Sequence, residues 1–217
     1  MEVNLKEALR YLGYKNGGAD SQTLCILEEC ARELERAAAP HSCFRLEPVA
    51  FLDGGALEIG KLKTVSRQLS RHIAGCREAV LFAATLGPQA DLLIQKYTAL
   101  DMARAVMLQA CAASLIESYC DECEERLAKE AASRGLFLRP RFSPGYPDFS
   151  IRCQKALLDI LDAPKRIGLT ATDSLMLAPS KSVTAVIGLT PEPQTCHTGK
   201  CAACGASDCP FRKEPQA

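Results

Sequence analysis

Between Asp101 and about Arg134 the chain carries one helical pattern longer than any other in it. Its first half is crowded with alanines at 103, 105, 110, 112 and 113, joined by Val106, Met107, Leu108 and Cys111. A helix that is apolar on most sides should be buried. The second half turns acidic, with Glu117, Asp121, Glu122, Glu124 and Glu125. Most of these read as a solvated face. Glu117 stands apart because it falls at the change from buried to exposed, between Ile116 and Tyr119. A half-buried carboxylate there needs a partner. Gly135 closes the helix.

The segments around this helix alternate in type. Leu5, Ala8, Leu9 and Leu12 recur at helical spacing, and Gly13 is their stop. Asp20 or Ser21 caps a second helix, whose buried face is Leu24, Leu27, Ala31 and Leu34 and which ends at Pro40. Cys25 and Cys30 belong to it as small buried or half-buried residues. Residues 42–59 predict a strand, a turn at Asp53-Gly54-Gly55 and a second strand. Residues 64–75 predict a helix with Val65, Leu69 and Ile73 on one side. The continuous apolar run from Ala79 to Leu86 fits a buried central strand, and Thr85-Leu86-Gly87 is a loop candidate at its end or a plain strand-to-helix turn. Cys153–Leu161 is helical, and Ser182–Leu189 is a strand rich in β-branched residues. The order lacks a regular β-α-β alternation. It predicts an α+β fold with helices packed on a twisted, mainly antiparallel sheet. No glycine-rich dinucleotide fingerprint and no Walker-type loop occur.

With 217 residues, the chain has room for one good-sized domain and a small appendage. The 26 basic and 26 acidic residues cancel, which argues against a nucleic-acid footprint or a membrane-surface patch. No run of about eighteen apolar residues exists, and the first residues lack a signal peptide's apolar core, so a cytoplasmic location is expected. In that setting the 12 cysteines are expected as thiols, metal ligands or redox groups and not as a disulfide framework.

Two short stretches carry the chemistry. The first is Arg141-Phe142-Ser143-Pro144-Gly145-Tyr146-Pro147. Two prolines flank a Gly-Tyr pair, so the stretch is an ordered turn between helices. Arg141 offers a fixed fork of donors for a carboxylate. Gly145 permits a close backbone approach or positive φ, and Tyr146 presents a flat apolar face with a hydroxyl at its tip. The set suits a small ligand with a carboxylate and a flat or cationic part. The alternative is a proline-stiffened connector, its arginine solvated and its tyrosine in the core.

The second is the tail, Cys196-x4-Cys201-x2-Cys204-x4-Cys209-Pro210, following a linker at Pro191-Glu192-Pro193. Four thiols within fourteen residues can wrap one metal centre. A tetrahedral zinc site takes four thiolates, and so does an iron–sulfur cluster, whose ferredoxin-type spacing resembles this one. His197 is a further candidate ligand or a solvated side chain. Four unligated thiols are the third reading.

The turn resembles the Arg-x-x-x-Gly-Tyr-Pro signature of the activation domain of cobalamin-dependent methionine synthase. Leu115-Ile116-Glu117 on the long helix stands where that family has an acidic contact to S-adenosylmethionine. Thr172-Asp173-Ser174, then Pro179 and Ser182-Val183, resembles the family's Thr-Glu-Ser…Pro…Ser-Val segment. The resemblance is stronger over 101–190 than over 1–100. The family's aromatic pair after Ser-Val is replaced by Val186-Ile187. The resemblance implies an activation-domain-like unit over 1–190; the Cys-rich metal-binding tail over 191–217 is read from its cysteine spacing alone, since the family's usual domain does not carry it. The resemblance implies S-adenosylmethionine as cofactor, bound by Glu117, Arg141, Gly145 and Tyr146, with Tyr146 as the catalytic residue facing the corrin. It further implies a stand-alone protein that reactivates a separate methionine synthase by reductive methylation of cob(II)alamin, the cobalamin being supplied by the partner. Because that reaction needs an electron, it favours an iron–sulfur cluster over zinc on Cys196, Cys201, Cys204 and Cys209, in place of or beside flavodoxin or ferredoxin. The alternatives are a reactivator of another corrinoid methyltransferase and a non-catalytic, metal-stapled partner-binding module.

Overall fold

A computed structural model describes residues 1–14, 18–146 and 148–192. The sequence order is α1 (Leu5–Tyr11), α2 (Ser21–Ala37), β1 (His41–Phe51), β2 (Ala56–Ile59), β3 (Leu62–Val65), α3 (Arg67–His72), β4 (Glu78–Thr85), α4 (Pro88–Leu100) and α5 (Met102–Ala132). After these come β5 (Phe137–Leu138), α6 (Cys153–Leu161), α7 (Ala163–Ile167), β6 (Thr170–Ala171), β7 (Leu177–Ala178) and β8 (Ser182–Thr190). Six strands form one sheet in the order β3-β2-β1-β4-β8-β5, and every neighbouring pair is antiparallel. β6 and β7 make a separate two-stranded ribbon.

The alternation of side chains along a strand explains how this sheet is covered. In β4, Val80, Phe82 and Ala84 point into one core, and Ala79, Leu81 and Ala83 into another. A strand buried on both faces reads as an unbroken apolar run. The first core holds α1, α2, α4 and the long α5, which packs against the other three. The second is built from α3, α6 and α7 with Leu57, Ile59, Leu62 and Phe149. Helices thus lie on both faces of an antiparallel sheet. Among the described residues no helix is long and apolar enough to cross a membrane.

The caps match the sequence. Asp20 begins α2 by accepting from Thr23 N–H at 2.9 Å, and Asp101 begins α5 by accepting from Arg104 N–H at 3.2 Å. Gly87 has φ +80, and a Cβ there would lie 2.9 Å from the Ala39 carbonyl, so only glycine fits between β4 and α4.

Three local expectations change. The predicted helix over 64–75 shrinks to α3. Its first residues instead form the end of β3, paired with β2, and Val65 is 67% exposed and not on a buried helix face. Ser66 then caps α3 by accepting from Leu69 N–H at 3.0 Å. The helix α4 was not expected. Its apolar residues are spread around it, with Leu92 and Leu100 exposed and Ala90 and Ile94 buried, so its period is blurred. Cys25 is exposed on α2, and only Cys30 is buried there.

Candidate functional site

Helical geometry decides where the acidic half of α5 points. Glu117, Asp121 and Glu124 are spaced i, i+4, i+7 and share one stripe. All three reach Arg141: Glu117 Oε2 lies 2.9 Å and Asp121 Oδ1 2.8 Å from Nη2, and Glu124 Oε1 lies 2.7 Å from Nη1. The Arg141 side chain is only 16% exposed, against 51% for Glu117, 67% for Asp121 and 24% for Glu124. Burial works against the charge on Arg141, but the carboxylates of Glu124, Glu117 and Asp121 outweigh it and hold the guanidinium more firmly protonated than a free arginine. Behind them, burial pushes the Cys120 thiol up, so it is neutral.

The turn is tied down at both ends. Upstream, Phe142 bridges to β8, donating its N–H to the Val186 carbonyl at 3.0 Å and accepting from Val186 N–H at 2.9 Å. Its ring lies 5.1 Å from that of His72, whose Nε2 sits 2.7 Å from the Pro140 carbonyl. Downstream, Gly145 N–H donates to the Phe149 carbonyl at 2.7 Å, and Phe149 is buried in the second core. Asp148 then caps α3 from outside: it accepts from Ser66 Oγ at 2.5 Å and from Arg67 N–H at 2.8 Å. Those bonds hold its carboxyl below the usual range. Gly145 has φ +94, a conformation that side chains other than glycine rarely adopt. Tyr146, held at its backbone by this network, leaves its side chain 67% exposed.

The structure therefore brings Glu117 and Arg141 together, with Gly145 and Tyr146 on the same turn. Both expectations of the plain-connector reading fail: the arginine is enclosed by carboxylates, and the tyrosine is outside the core. Glu117 does have its partner, but it is exposed and not half-buried. Sequence reasoning missed Asp121 and Glu124 by assigning them to a solvated face. Their i, i+4, i+7 spacing from Glu117 was the available signal. Val186 and Ile187, which stand in place of the family's aromatic pair, are fully buried in opposite cores.

The Thr172–Ser174 segment is a tight turn between β6 and β7, in which Thr172 Oγ1 lies 2.9 Å from Ser174 Oγ. Ser182 Oγ donates to Thr85 Oγ1 at 2.8 Å, which ties the start of β8 to the end of β4. A cavity of about 540 Å³ lies between α4, α5 and Ser180, lined by Asp91, Gln95, Thr98 and Gln109 among others. None of the sequence-predicted residues lines it, and its carboxylate, Asp91, is already engaged by Ser180 N–H at 2.6 Å and Oγ at 2.7 Å. Among the described residues no group of three or more His, Cys, Asp or Glu side chains is arranged to hold a metal ion. Cys196, Cys201, Cys204 and Cys209 lie outside the described residues, as does Pro147.

Fold and site together define an α+β domain that presents a charged, glycine-anchored turn beside a long helix. The sequence profile of the family described as "Vitamin B12 dependent methionine synthase, activation domain" matches residues 72–214, and the chain belongs to that family. The match begins before the segment where the resemblance was strongest and runs on through the four tail cysteines. No curated protein matches the chain. Among solved structures, the crystal structure of the MetH reactivation domain bound to AdoHcy is similar in fold. Its TM-score is 0.61 at 20% sequence identity, over 85% of this chain and 70% of that one.

Proposed function

We propose that this domain binds S-adenosylmethionine on the face formed by α5 and the Arg141–Tyr146 turn, and that it supports reductive methylation of cob(II)alamin carried, in trans, by a cobalamin-bearing methionine synthase. The observation that carries the reading is the meeting of Arg141 with Glu117 beside a rigid turn whose tyrosine faces outward. Family membership supplies the chemistry. The sulfonium methyl is donated, and its capture draws an unfavourable one-electron reduction forward. The chain's own contribution is positioning, which converts a bimolecular encounter into an oriented one.

In this reading the methionine carboxylate takes the place of Asp121 on Nη2 of Arg141, because Asp121 is the most exposed of the three carboxylates. Glu117 attracts the ammonium and sulfonium end. The backbone at Gly145 lies against the ligand, and the Tyr146 ring meets the partner's corrin. The tail cysteines Cys196, Cys201, Cys204 and Cys209 offer, by their spacing in the sequence, four thiolates to an iron–sulfur cluster, which would supply single electrons. Zinc fits the same donors but carries none.

Calorimetric titration of S-adenosylmethionine into anaerobically purified protein tests the reading. Arg141→Ala is expected to weaken binding at least tenfold, since a charge-assisted hydrogen bond contributes about 1.5–3 kcal/mol. Arg141→Lys, which keeps the charge but loses the fork, is expected to fall between. Wild-type affinity in a folded Arg141→Ala protein would overturn the role given to Arg141. Stoichiometric zinc without iron in the same preparation would overturn the cluster.

A further inference from the structure

We infer that Arg139 is the cation against which the Cys-rich tail is seated, its guanidinium donating to the thiolate sulfurs of a metal centre on Cys196, Cys201, Cys204 and Cys209. The inference rests on the reading of those cysteines as metal ligands and gives them a place on the fold. Arg139 is only 9% exposed, at the edge of the second core. Its backbone N–H donates to the Gly188 carbonyl at 2.8 Å, and its Nη2 donates to the Ala74 carbonyl at 3.3 Å. Its Nε is buried without a partner. Arg10, Arg104 and Arg141 are also largely enclosed, but each faces a carboxylate. Among the described residues no carboxylate pairs with Arg139. The Cys76 thiol, within hydrogen-bonding reach of it, supplies no charge, because burial pushes that thiol up. A buried charge is costly until an opposite charge meets it.

The tail leaves the fold beside this arginine. Leu189 and Thr190 pair with Leu138 and Phe137, directly after the contact between Gly188 and Arg139. The last described residue is Glu192, and residues 193–217 follow it. Cys196 comes six residues after Thr190, a span of at most about 20 Å. Arg77, exposed just before β4, and Phe137, 43% exposed, stand at the same end of the sheet. The family profile runs on to residue 214 and so matches most of the tail with the domain. Charge selects the occupant. Asp208 and Glu214 in the tail are outnumbered by Lys200, Arg212 and Lys213. Without metal the tail therefore has no anionic surplus for Arg139. Four thiolates on one zinc ion leave the centre with about two net negative charges. Thiolate-bound centres of this kind take hydrogen bonds to their sulfurs, which hold the ligands and tune the metal. A guanidinium without a carboxylate is a donor suited to that task.

The test uses the full chain, purified anaerobically and assayed for bound metal. The proteins are the wild type, Arg139→Met, Arg139→Lys and a control, Arg152→Gln, which alters an exposed arginine just before α6. The first measurement is the rate of metal loss to excess chelator. Arg139→Met is expected to speed it about tenfold or more, the usual scale for losing a hydrogen bond to a metal ligand. Arg139→Lys, which keeps the charge but loses the fork, is expected to fall between, and Arg152→Gln to match the wild type. The second measurement is the urea midpoint of each protein with and without its metal. Arg139→Met is expected to lower the midpoint of the loaded protein and not that of the stripped one, in which the guanidinium has no anion to meet. If Arg139→Met does not fold, Arg139→Lys carries the same comparison. An equal fall in loaded and stripped protein, with metal lost at the wild-type rate, makes Arg139 structural and overturns the proposal while the metal reading stands. Folded wild-type protein that holds no metal overturns both.

Discussion

Gly188 shows how closely the second core is filled. It lies in the middle of β8 with ordinary extended backbone, so its value is space and not conformation. A Cβ there would sit 2.8 Å from Cys76 Sγ and 3.0 Å from Ile73 Cγ2. Overpacking of this kind costs about 1–3 kcal/mol. Gly188→Ala is expected to lower the urea midpoint accordingly, and Cys76→Ala introduced beside it to recover part of the loss. A midpoint equal to wild type would show that α3 and its following loop can withdraw from the sheet at no cost. At this scale the sequence was partly readable. Arg141, Gly145 and Tyr146 stood out because proline and glycine punctuate the chain around them. Asp121 and Glu124 did not, because acids on an exposed helix face are usually solvated. Only the fold reveals that an arginine from a turn seventeen residues beyond Glu124 lies across them.

Among elements, α3 and the Arg141 turn are joined by shared hydrogen bonds. Ser66 caps the helix from its own chain, and Asp148 caps it from the turn. Ser66→Ala removes both the buried cap and the hydroxyl that Asp148 accepts from, and is expected to cost about 1 kcal/mol. It is also expected to raise hydrogen exchange at Gly145 as well as in α3. Protection lost in α3 alone would mean that the two are independent. The boundary of this helix was misread from sequence because Val65, Leu69 and Ile73 recur at helical spacing. The pairing of Leu62–Val65 with β2 overrides that pattern. The buried strand β4 and the helix α5 were legible because their patterns are long and internally consistent. The ribbon of β6 and β7 was not read from the sequence; Thr172–Ser174 stood out only through family resemblance.

For the molecule as a whole, acid is the condition that should loosen it. Asp148 is held below the ordinary carboxylate range by Ser66 Oγ and the α3 backbone, and Asp20 by the backbone and side chain of Thr23. A carboxyl whose folded pKa is lowered contributes its stability fully above its unfolded value, near 4. That contribution is lost as pH falls through the folded value. Stability is therefore expected to drop between about pH 5 and pH 2, and Asp148→Asn to flatten that slope. Urea midpoints at pH 6 and pH 3 for both proteins check this, and parallel slopes would remove Asp148 from the account. Burial, by contrast, pushes the Cys111 thiol up to about 12, so it is neutral across this acid range.

The six-stranded sheet ends on β3, four residues long, and β5, two residues long. Along β8, the stretch from Phe137 to Phe142 further occupies the outer edge through Leu138, Arg139 and Phe142. Edges this short offer a poor template for strand addition. Among the described residues, a visiting strand therefore finds little sheet edge on which to extend the backbone ladder. A partner would then be met by side chains on turns and helices, a contact that parts more easily than a shared ladder of backbone hydrogen bonds.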